Sequence, residues 1–308
     1  MATEPILAAL EMAQHPRSQV SSSVLRDYWA LTKPEINFLI AFTSATSFWM
    51  AVPIYSAHFQ WAPLLSTLLG TMLASSGAAA LNQLIEVRYD AQMRRTARRP
   101  LASGTITPTA AMWFGVSLSV FGVMYLAIST NVLAALIAAL TLLSYLFLYT
   151  PLKRVTPLCT LVGAIPGAAP TLIGWTAARG QLNAAAWELF AIVFLWQFPH
   201  FMAIAWMYRE DYGRAGYLVL PANNLKDRFV AWQTLLPALG LFVVAIVPAL
   251  RGGAGIVYFA GALVSGGVFL YYSTRLSFKR SATSARKLLL VSIIYLPVLF
   301  FLLALDKK

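Results

Sequence analysis

Three clusters of polar residues interrupt an otherwise apolar chain, and their spacing decides what chemistry they could do. In the first, Asn82, Glu86 and Asp90 recur every fourth residue. At 100° per residue each such step drifts by 40°, so all three fit within an arc of about 80° on one helix face. Two carboxylates and an amide oxygen are hard donors of the kind Mg2+ accepts, and Mg2+ usually keeps several waters and shares phosphate oxygens. Arg88, Arg94, Arg95, Arg98 and Arg99 lie beside this ladder. Guanidinium forks grip phosphate oxygens two at a time, so an acidic ladder next to a basic cluster suits a metal-bound diphosphate. The arginines alone would serve equally well as a solvated loop that sets orientation. The ladder beside them favours a site.

The second cluster, Tyr149-Thr150-Pro151-Leu152-Lys153-Arg154-Val155-Thr156-Pro157, reads as a loop between two apolar helices. Pro151 disfavours helical geometry at Thr150, so the preceding helix is expected to end there. Lys153 and Arg154 either reach a phosphate or anchor a short loop. The third cluster runs from Trp196 to Pro221 and holds His200, Tyr208, Glu210 and Asp211. If one helix continues from His200 through Asp211, Tyr208 and Asp211 fall about 80° and 20° from His200, on one side. Such a face would oppose the first ladder across a central cavity, with Asp211 as a further metal-binding carboxylate. His200 is either a hydrogen-bonded core residue or a ligand. His15 and His58 have no such company.

The elements that must position these residues are membrane helices. Of 308 residues, 59% are hydrophobic and only 11% charged, a composition of polytopic membrane proteins rather than soluble enzymes. A spanning helix needs roughly 20 mainly apolar residues. Nine stretches qualify, near 34–54, 61–85, 109–129, 131–150, 158–177, 185–208, 229–249, 254–274 and 286–305. The fold class expected is therefore all-α, a polytopic integral membrane protein with about nine helices around a central cavity. With alternating sides, 19 of the 23 Lys and Arg residues fall on the N-terminal side and 4 on the other. The basic side is cytoplasmic by the positive-inside rule, so the N-terminus is expected inside and the C-terminus outside. Net charge +12 is thus topology, and nucleic acid is not an expected partner.

All three polar clusters lie on the basic side. Residues 1–30 read as a polar cytoplasmic tail and 31–308 as a single transmembrane domain. Thr107-Pro108 has the pattern of an N-cap and first helical residue, Pro100 of a helix stop and Gly104 of a turn. Cys159 is the only cysteine, which excludes an intrachain disulfide and a thiolate metal cluster. Gly163, Pro166, Gly167, Pro170 and Gly174 fill the fifth span with small residues and prolines, the composition of a helix that others approach closely.

These motifs carry a resemblance. Asn-x-x-x-Glu-x-x-x-Asp-x-x-Met-x-Arg-Thr-x-x-Arg-Pro-Leu over 82–101, Tyr-Thr-x-x-Lys-Arg-x-Thr-Pro over 149–157 and Pro-His-Phe…Tyr-Arg-x-Asp-Tyr-x-x-Ala-Gly…Leu-Pro over 199–221 resemble the UbiA-type intramembrane prenyltransferases. The Pro-His-Phe segment with Asp-Tyr-x-x-Ala-Gly resembles their haem O synthase (protohaem IX farnesyltransferase) branch. Leu31-Thr32-Lys33-Pro34 is similar to the family's entry into its first span, so the likeness covers roughly 28–300. Two departures stand out. Glu86 occupies a position where the wider family generally has Asp, and the repeated Asp-x-x-x-Asp of other branches is missing from the third cluster.

The resemblance implies transfer of a farnesyl group from farnesyl diphosphate to a vinyl group of haem b, with Mg2+ as cofactor. On that reading Asn82, Glu86, Asp90 and Asp211 hold Mg2+. Arg94, Arg98, Lys153 and Arg154 grip the diphosphate, and Asp90, Arg98, Lys153 and Tyr208 carry the chemistry. Tyr145, Tyr149 and Trp196 are candidates to face an allylic cation, and His200 is a candidate haem ligand. The lipid bilayer of a bacterial cytoplasmic membrane is the implied location, and a downstream haem A synthase the candidate protein partner. Three other readings compete: a relative prenylating a quinone precursor, a transporter of haem or organic anions, and a scaffold subunit.

Overall fold

The computed structural model describes residues 24–53, 61–220 and 225–308, with backbone only at 225 and 226. His15, His58, Pro221 and the tail up to residue 23 lie outside the described residues. Among the described residues the chain is helical throughout, with one isolated bridge pairing Ala254 with Lys307. The principal helices are α1 (Val24–Leu31), α2 (Pro34–Ala51), α3 (Trp61–Asp90), α4 (Pro100–Ser103), α5 (Pro108–Ser129) and α6 (Val132–Leu152). They continue as α7 (Cys159–Arg179), α8 (Ala184–Met207), α9 (Arg209–Arg214), α10 (Leu225–Val244), α11 (Val247–Leu250), α12 (Ile256–Lys279) and α13 (Ala282–Leu305).

Eight helices among the described residues are long and apolar enough to cross a membrane. The ninth expected span, α2, is a helix of 18 residues, but Asn37, Thr43, Ser44, Thr46 and Ser47 make it more polar, and all five are buried. They face protein instead of lipid. Ser44 and Ser47 donate to the Pro170 and Thr171 carbonyls of α7 at 2.9 and 2.6 Å. Side-chain donors of this kind let helices associate where lipid supplies no hydrophobic drive.

The long helices pack in chain order, α2 on α3, α3 on α5, α5 on α6 and so on through α12 on α13, and α13 returns to α2. Close approach rests on small residues. A Cβ at Gly77 would collide with the Gly115 carbonyl, and one at Gly122 with the backbone of Ala74, so α3 and α5 touch backbone to backbone. At α7, Gly167 leaves the space that the Gln197 side chain of α8 occupies, and Gln197 Nε2 donates to the Ala164 carbonyl at 3.0 Å.

The ends of several elements depart from the sequence reading. Residues 24–31 form a helix in place of a tail, because Leu31 is fully buried and Tyr28 meets Phe114 edge-on at 4.9 Å. The third helix ends at Asp90, well before Pro100, and turns occupy 91–99. Pro100 instead opens α4 as its first residue. Thr150 is helical, at φ −60 and ψ −47. The helix passes Pro151 by widening into a π-turn over Ser144–Tyr149, in which the Thr150 N–H reaches back five residues to the Tyr145 carbonyl. The Thr150 hydroxyl donates to the same carbonyl at 2.8 Å. Thr107 does cap α5, accepting from the Ala110 N–H at 3.3 Å, and Gly104 takes a turn at φ 81.

Candidate active site

One cavity of about 430 Å³ penetrates the bundle, lined by residues of α2, α3, α6, α7, α8 and the connections at one end. The ladder on α3 forms part of its wall: Asn82, Glu86 and Asp90 all line it and all are buried. The helix brings them together as the four-residue spacing requires.

Each rung meets a cation or a donor. Lys33 Nζ donates to Asn82 Oδ1 at 3.0 Å, Lys153 Nζ to Glu86 Oε1 at 2.7 Å, and an Arg99 N–H to Asp90 Oδ2 at 2.7 Å. The Asn82 amide in turn donates to the Thr150 hydroxyl at 3.1 Å, tying α3 to the helix that carries Lys153. Asp90 Oδ1 is buried with no hydrogen-bond partner among the described residues. A buried carboxylate oxygen left bare is costly, and a bound cation or water would satisfy it.

Two of these cations titrate abnormally. Burial pushes the Lys33 ammonium down to about 7, helped by the charges of Arg99 and Lys153 and opposed by Glu86 and Asp90. Burial would also lower Lys153, but the facing Glu86 carboxylate overrides it and holds that ammonium well above the ordinary lysine value. Lys33 is further held at φ 51, a left-handed conformation that costs a residue with a Cβ about 1–2 kcal/mol. Such strain persists where the surroundings over-determine it, commonly at functional sites. Here it leads the Lys33 side chain into the cavity.

The arginines that line the cavity are Arg95 and Arg99. The expected pair, Arg94 and Arg98, is exposed and absent from the wall. A helix continued past Asp90 would carry 94 and 98 along the ladder's row; the turns after Asp90 shift the phase by one residue. Arg95 and Arg99 are the arginines marked in the 82–101 motif, so that pattern held the signal. Arg154 is likewise exposed and lies outside the cavity wall. Its guanidinium sits 4.8 Å over the Tyr89 ring and donates to the Tyr89 hydroxyl.

The third cluster is rearranged most. The helix breaks at Tyr208, at φ −105 and ψ 21, so His200, Tyr208 and Asp211 do not share a face. His200 lines the cavity. Tyr208 does not, and its ring lies under the Arg95 guanidinium at 4.9 Å. Asp211 is buried outside the cavity wall, ion-paired with Arg214 and accepting from the Arg95 backbone N–H at 3.4 Å. It fastens the loop that presents Arg95, instead of facing a metal across the cavity. Tyr212 and Tyr217, which the sequence reading passed over, line the cavity in that region. The Tyr217 hydroxyl is buried beside Glu86; burial, then the Glu86 carboxylate, pushes this phenol upward.

The rest of the wall is mostly apolar and aromatic, interrupted by Asn37, Thr43, Thr71, Ser75, Thr160 and Gln197. Tyr145, Tyr149 and Trp196 line it, as do Cys159, Gly163, Pro166 and Pro170. Tyr149 packs against Gly163, and Lys153 Nζ stands 4.6 Å over its ring. An end rich in cations thus opens into a mostly apolar, ring-lined groove.

The chain matches known proteins over nearly its whole length. The pattern of the UbiA prenyltransferase family matches residues 40–303. The chain belongs to the UbiA prenyltransferase family. Among curated relatives, a protoheme IX farnesyltransferase of Solibacter usitatus is 46% identical over 92% of this chain and 99% of its own length. That of Koribacter versatilis is 43% identical over 95% and 96%. Solved UbiA-type structures share the fold. A digeranylgeranylglyceryl phosphate synthase superposes with TM-score 0.75 over 92% of this chain and 98% of its own, at 16% identity. A UbiA homolog from Archaeoglobus fulgidus, bound to GPP and Mg2+, superposes with TM-score 0.62 over 90% and 99%, at 13% identity.

Among the described residues no group of three or more His, Cys, Asp or Glu side chains could hold a metal alone. The ladder offers two carboxylates and an amide, with Asp90 Oδ1 uncommitted. This donor set fits Mg2+ that completes its shell with waters and diphosphate oxygens.

Proposed function

We propose that this UbiA-family protein transfers the farnesyl group of farnesyl diphosphate to a vinyl group of haem b, producing haem O. One observation carries the reading: buried carboxylates paired with cations stand at one end of an apolar, aromatic-lined cavity. The farnesyl chain lies in the groove and the diphosphate at the polar end.

In the reaction the allylic C1–O bond breaks and its electron pair leaves with diphosphate. Farnesyl C1 bonds to the terminal vinyl carbon of haem. The inner vinyl carbon takes hydroxide from water, and the water's second proton is released. Haem b, farnesyl diphosphate and water thereby balance haem O, diphosphate and a proton. Asn82, Glu86 and Asp90 would hold Mg2+, which supplies Lewis-acid stabilisation of the leaving diphosphate when bound. Lys33, Arg95, Arg99 and Lys153 bind the same oxygens, and charge that develops on them is stabilised most in the transition state. Tyr145, Tyr149 and Trp196 present ring faces to the allylic cation, a contact of about 0.5–2 kcal/mol each. The apolar groove excludes water until C1 has reacted.

The polar end of the cavity coincides with the basic connections, which supports a site at the cytoplasmic face of a bacterial inner membrane, with the N-terminus inside. The product is the substrate of a haem A synthase, the downstream partner this reading names. Membranes containing the protein, given haem b, farnesyl diphosphate and Mg2+, should form haem O on chromatography of extracted haems. Asp90→Asn should abolish it. Prenylation of a hydroxybenzoate instead of haem would move the protein to the quinone branch, and unchanged product from the Asp90 variant would remove the mechanism.

A further inference from the structure

We propose that Ile173 is the floor of the prenyl groove and sets the accepted chain length at three isoprene units. This deepens the proposed function and rests on its reading that the cavity binds a prenyl diphosphate.

Helix α3 marks the path of the chain. Away from the ladder, the α3 residues that line the cavity are Ala79, Ala78, Ser75, Ala74 and Thr71. They continue from Asn82 at steps of three and four, so they stay on one helix face. All are small, which makes that face a furrow leading from the diphosphate end. Midway along it, Ser75 donates to the Asn37 side-chain oxygen of α2. The Asn37 amide in turn donates to Ser76 Oγ at 2.7 Å and to the Thr32 carbonyl at 2.8 Å. These polar groups are engaged with one another and leave the furrow to an apolar chain.

The furrow has an end. Ile173 and Ala138 belong both to the cavity wall and to a buried cluster with Leu126, Ala134 and Ala135, so the cluster fills the space behind them. One residue beyond Ile173, α2 and α7 meet backbone to backbone, since a Cβ at Gly174 would collide with the Ser44 carbonyl. One residue before Thr71, Gly70 lies against the Leu126 side chain of α5. Five helices thus converge at one level. Of the wall residues there, Thr43, Thr71, Ala138 and Ile173, the isoleucine is the largest.

The depth fits a farnesyl chain. At about 1.5 Å of rise per residue, Thr71 stands about 16 Å from Asn82 along the α3 axis. An extended chain advances about 3.5 Å for every three bonds, so the twelve main-chain carbons of farnesyl reach about 13 Å and a geranylgeranyl chain, four bonds longer, about 18 Å. With C1 beside the ladder, farnesyl ends against Ile173. Geranylgeranyl would have to displace it, and geranyl leaves the floor uncovered.

The test titrates the purified full-length protein in detergent, with Mg2+ and without haem, with the S-thiolodiphosphates of geranyl, farnesyl and geranylgeranyl, and reads affinity by calorimetry. The wild type should hold the farnesyl compound about tenfold or more tighter than either other, a discrimination within reach of a close-fitting apolar pocket. Ile173→Ala should narrow the farnesyl-to-geranylgeranyl ratio by about tenfold, and Ile173→Val by less. Ala138→Leu, which adds bulk at the same level from α6, should move the preference to geranyl and decides the matter where Ile173→Ala does not fold. An unchanged ratio in the folded variants overturns the floor. So does a wild type that holds geranylgeranyl as tightly as farnesyl, because that marks a groove open to lipid at its far end. A ranking that moves with Ile173 while no haem is prenylated supports the floor and overturns the proposed acceptor; a wild type that binds none of the three overturns both.

Discussion

Lys153 Nζ lies 2.7 Å from Glu86 Oε1, joining α3 to the end of α6 by an ion pair whose side chains are only 15% and 7% exposed. Removing one partner from a buried pair strands the other charge, at a cost of about 3–5 kcal/mol. Lys153→Met should therefore lower the thermal midpoint in detergent markedly, and Lys153→Met with Glu86→Gln should recover most of that loss. Neither variant should form haem O if the pair binds the leaving diphosphate as proposed. A double variant no more stable than the single would show the two groups uncoupled.

The cavity discriminates between neighbouring arginines. Arg99 binds Asp90 inside the wall and Arg95, although exposed, lines it, whereas Arg94 and Arg98 are exposed and lie outside it. A charge-assisted hydrogen bond contributes about 1.5–3 kcal/mol, so Arg95→Ala and Arg99→Ala should each lower kcat/KM for farnesyl diphosphate by about tenfold or more. Arg94→Ala and Arg98→Ala should change it by less than about threefold, as exposed charges do. Steady-state kinetics on the four variants decides the assignment, and equal losses across all four would refute it.

The contrast shows what the chain's pattern could and could not reveal. Helical spacing placed Asn82, Glu86 and Asp90 together because α3 runs unbroken through all three. Periodicity failed wherever a helix stopped or changed pitch: after Asp90, at the π-turn before Thr150 and at the break on Tyr208. Each failure rotated the residues that followed, exchanging Arg94 and Arg98 for Arg95 and Arg99 and turning Asp211 away from the cavity. Lys33 was visible only as part of a family-like tetrapeptide, since its role depends on a left-handed backbone and a contact 49 residues away.

Lys33 gives the substrate-free protein a signature in pH. Its folded value of about 7 lies below the ordinary lysine value of about 10.4, so between those limits the unfolded chain holds a proton that the folded one has released. Stability then rises with pH over that window and levels off below 7, where both states are charged. With EDTA present, the thermal midpoint of the wild type relative to Lys33→Met should climb from pH 7 to pH 9.5. A difference that stays flat or falls would mean that Lys33 is charged in the cavity.

Magnesium should bind weakly until diphosphate arrives. Glu86 and Asp90 are each neutralised by a cation, Lys153 and Arg99, and among the described residues no third carboxylate stands with them, since Asp211 is engaged by Arg214. A divalent ion entering alone meets two spent charges and an amide already holding Lys33. Diphosphate supplies the missing anionic oxygens and draws Lys33, Arg99 and Lys153 toward itself, which frees the carboxylates. Calorimetric titration of the substrate-free protein should show Mg2+ affinity no better than about millimolar, tightened by about tenfold or more with inorganic pyrophosphate, consistent with a cation that is commonly held through one or two carboxylates plus phosphate. Asp90→Asn should remove the tightening. Equal affinity with and without pyrophosphate would show a preformed protein site and refute this order of assembly.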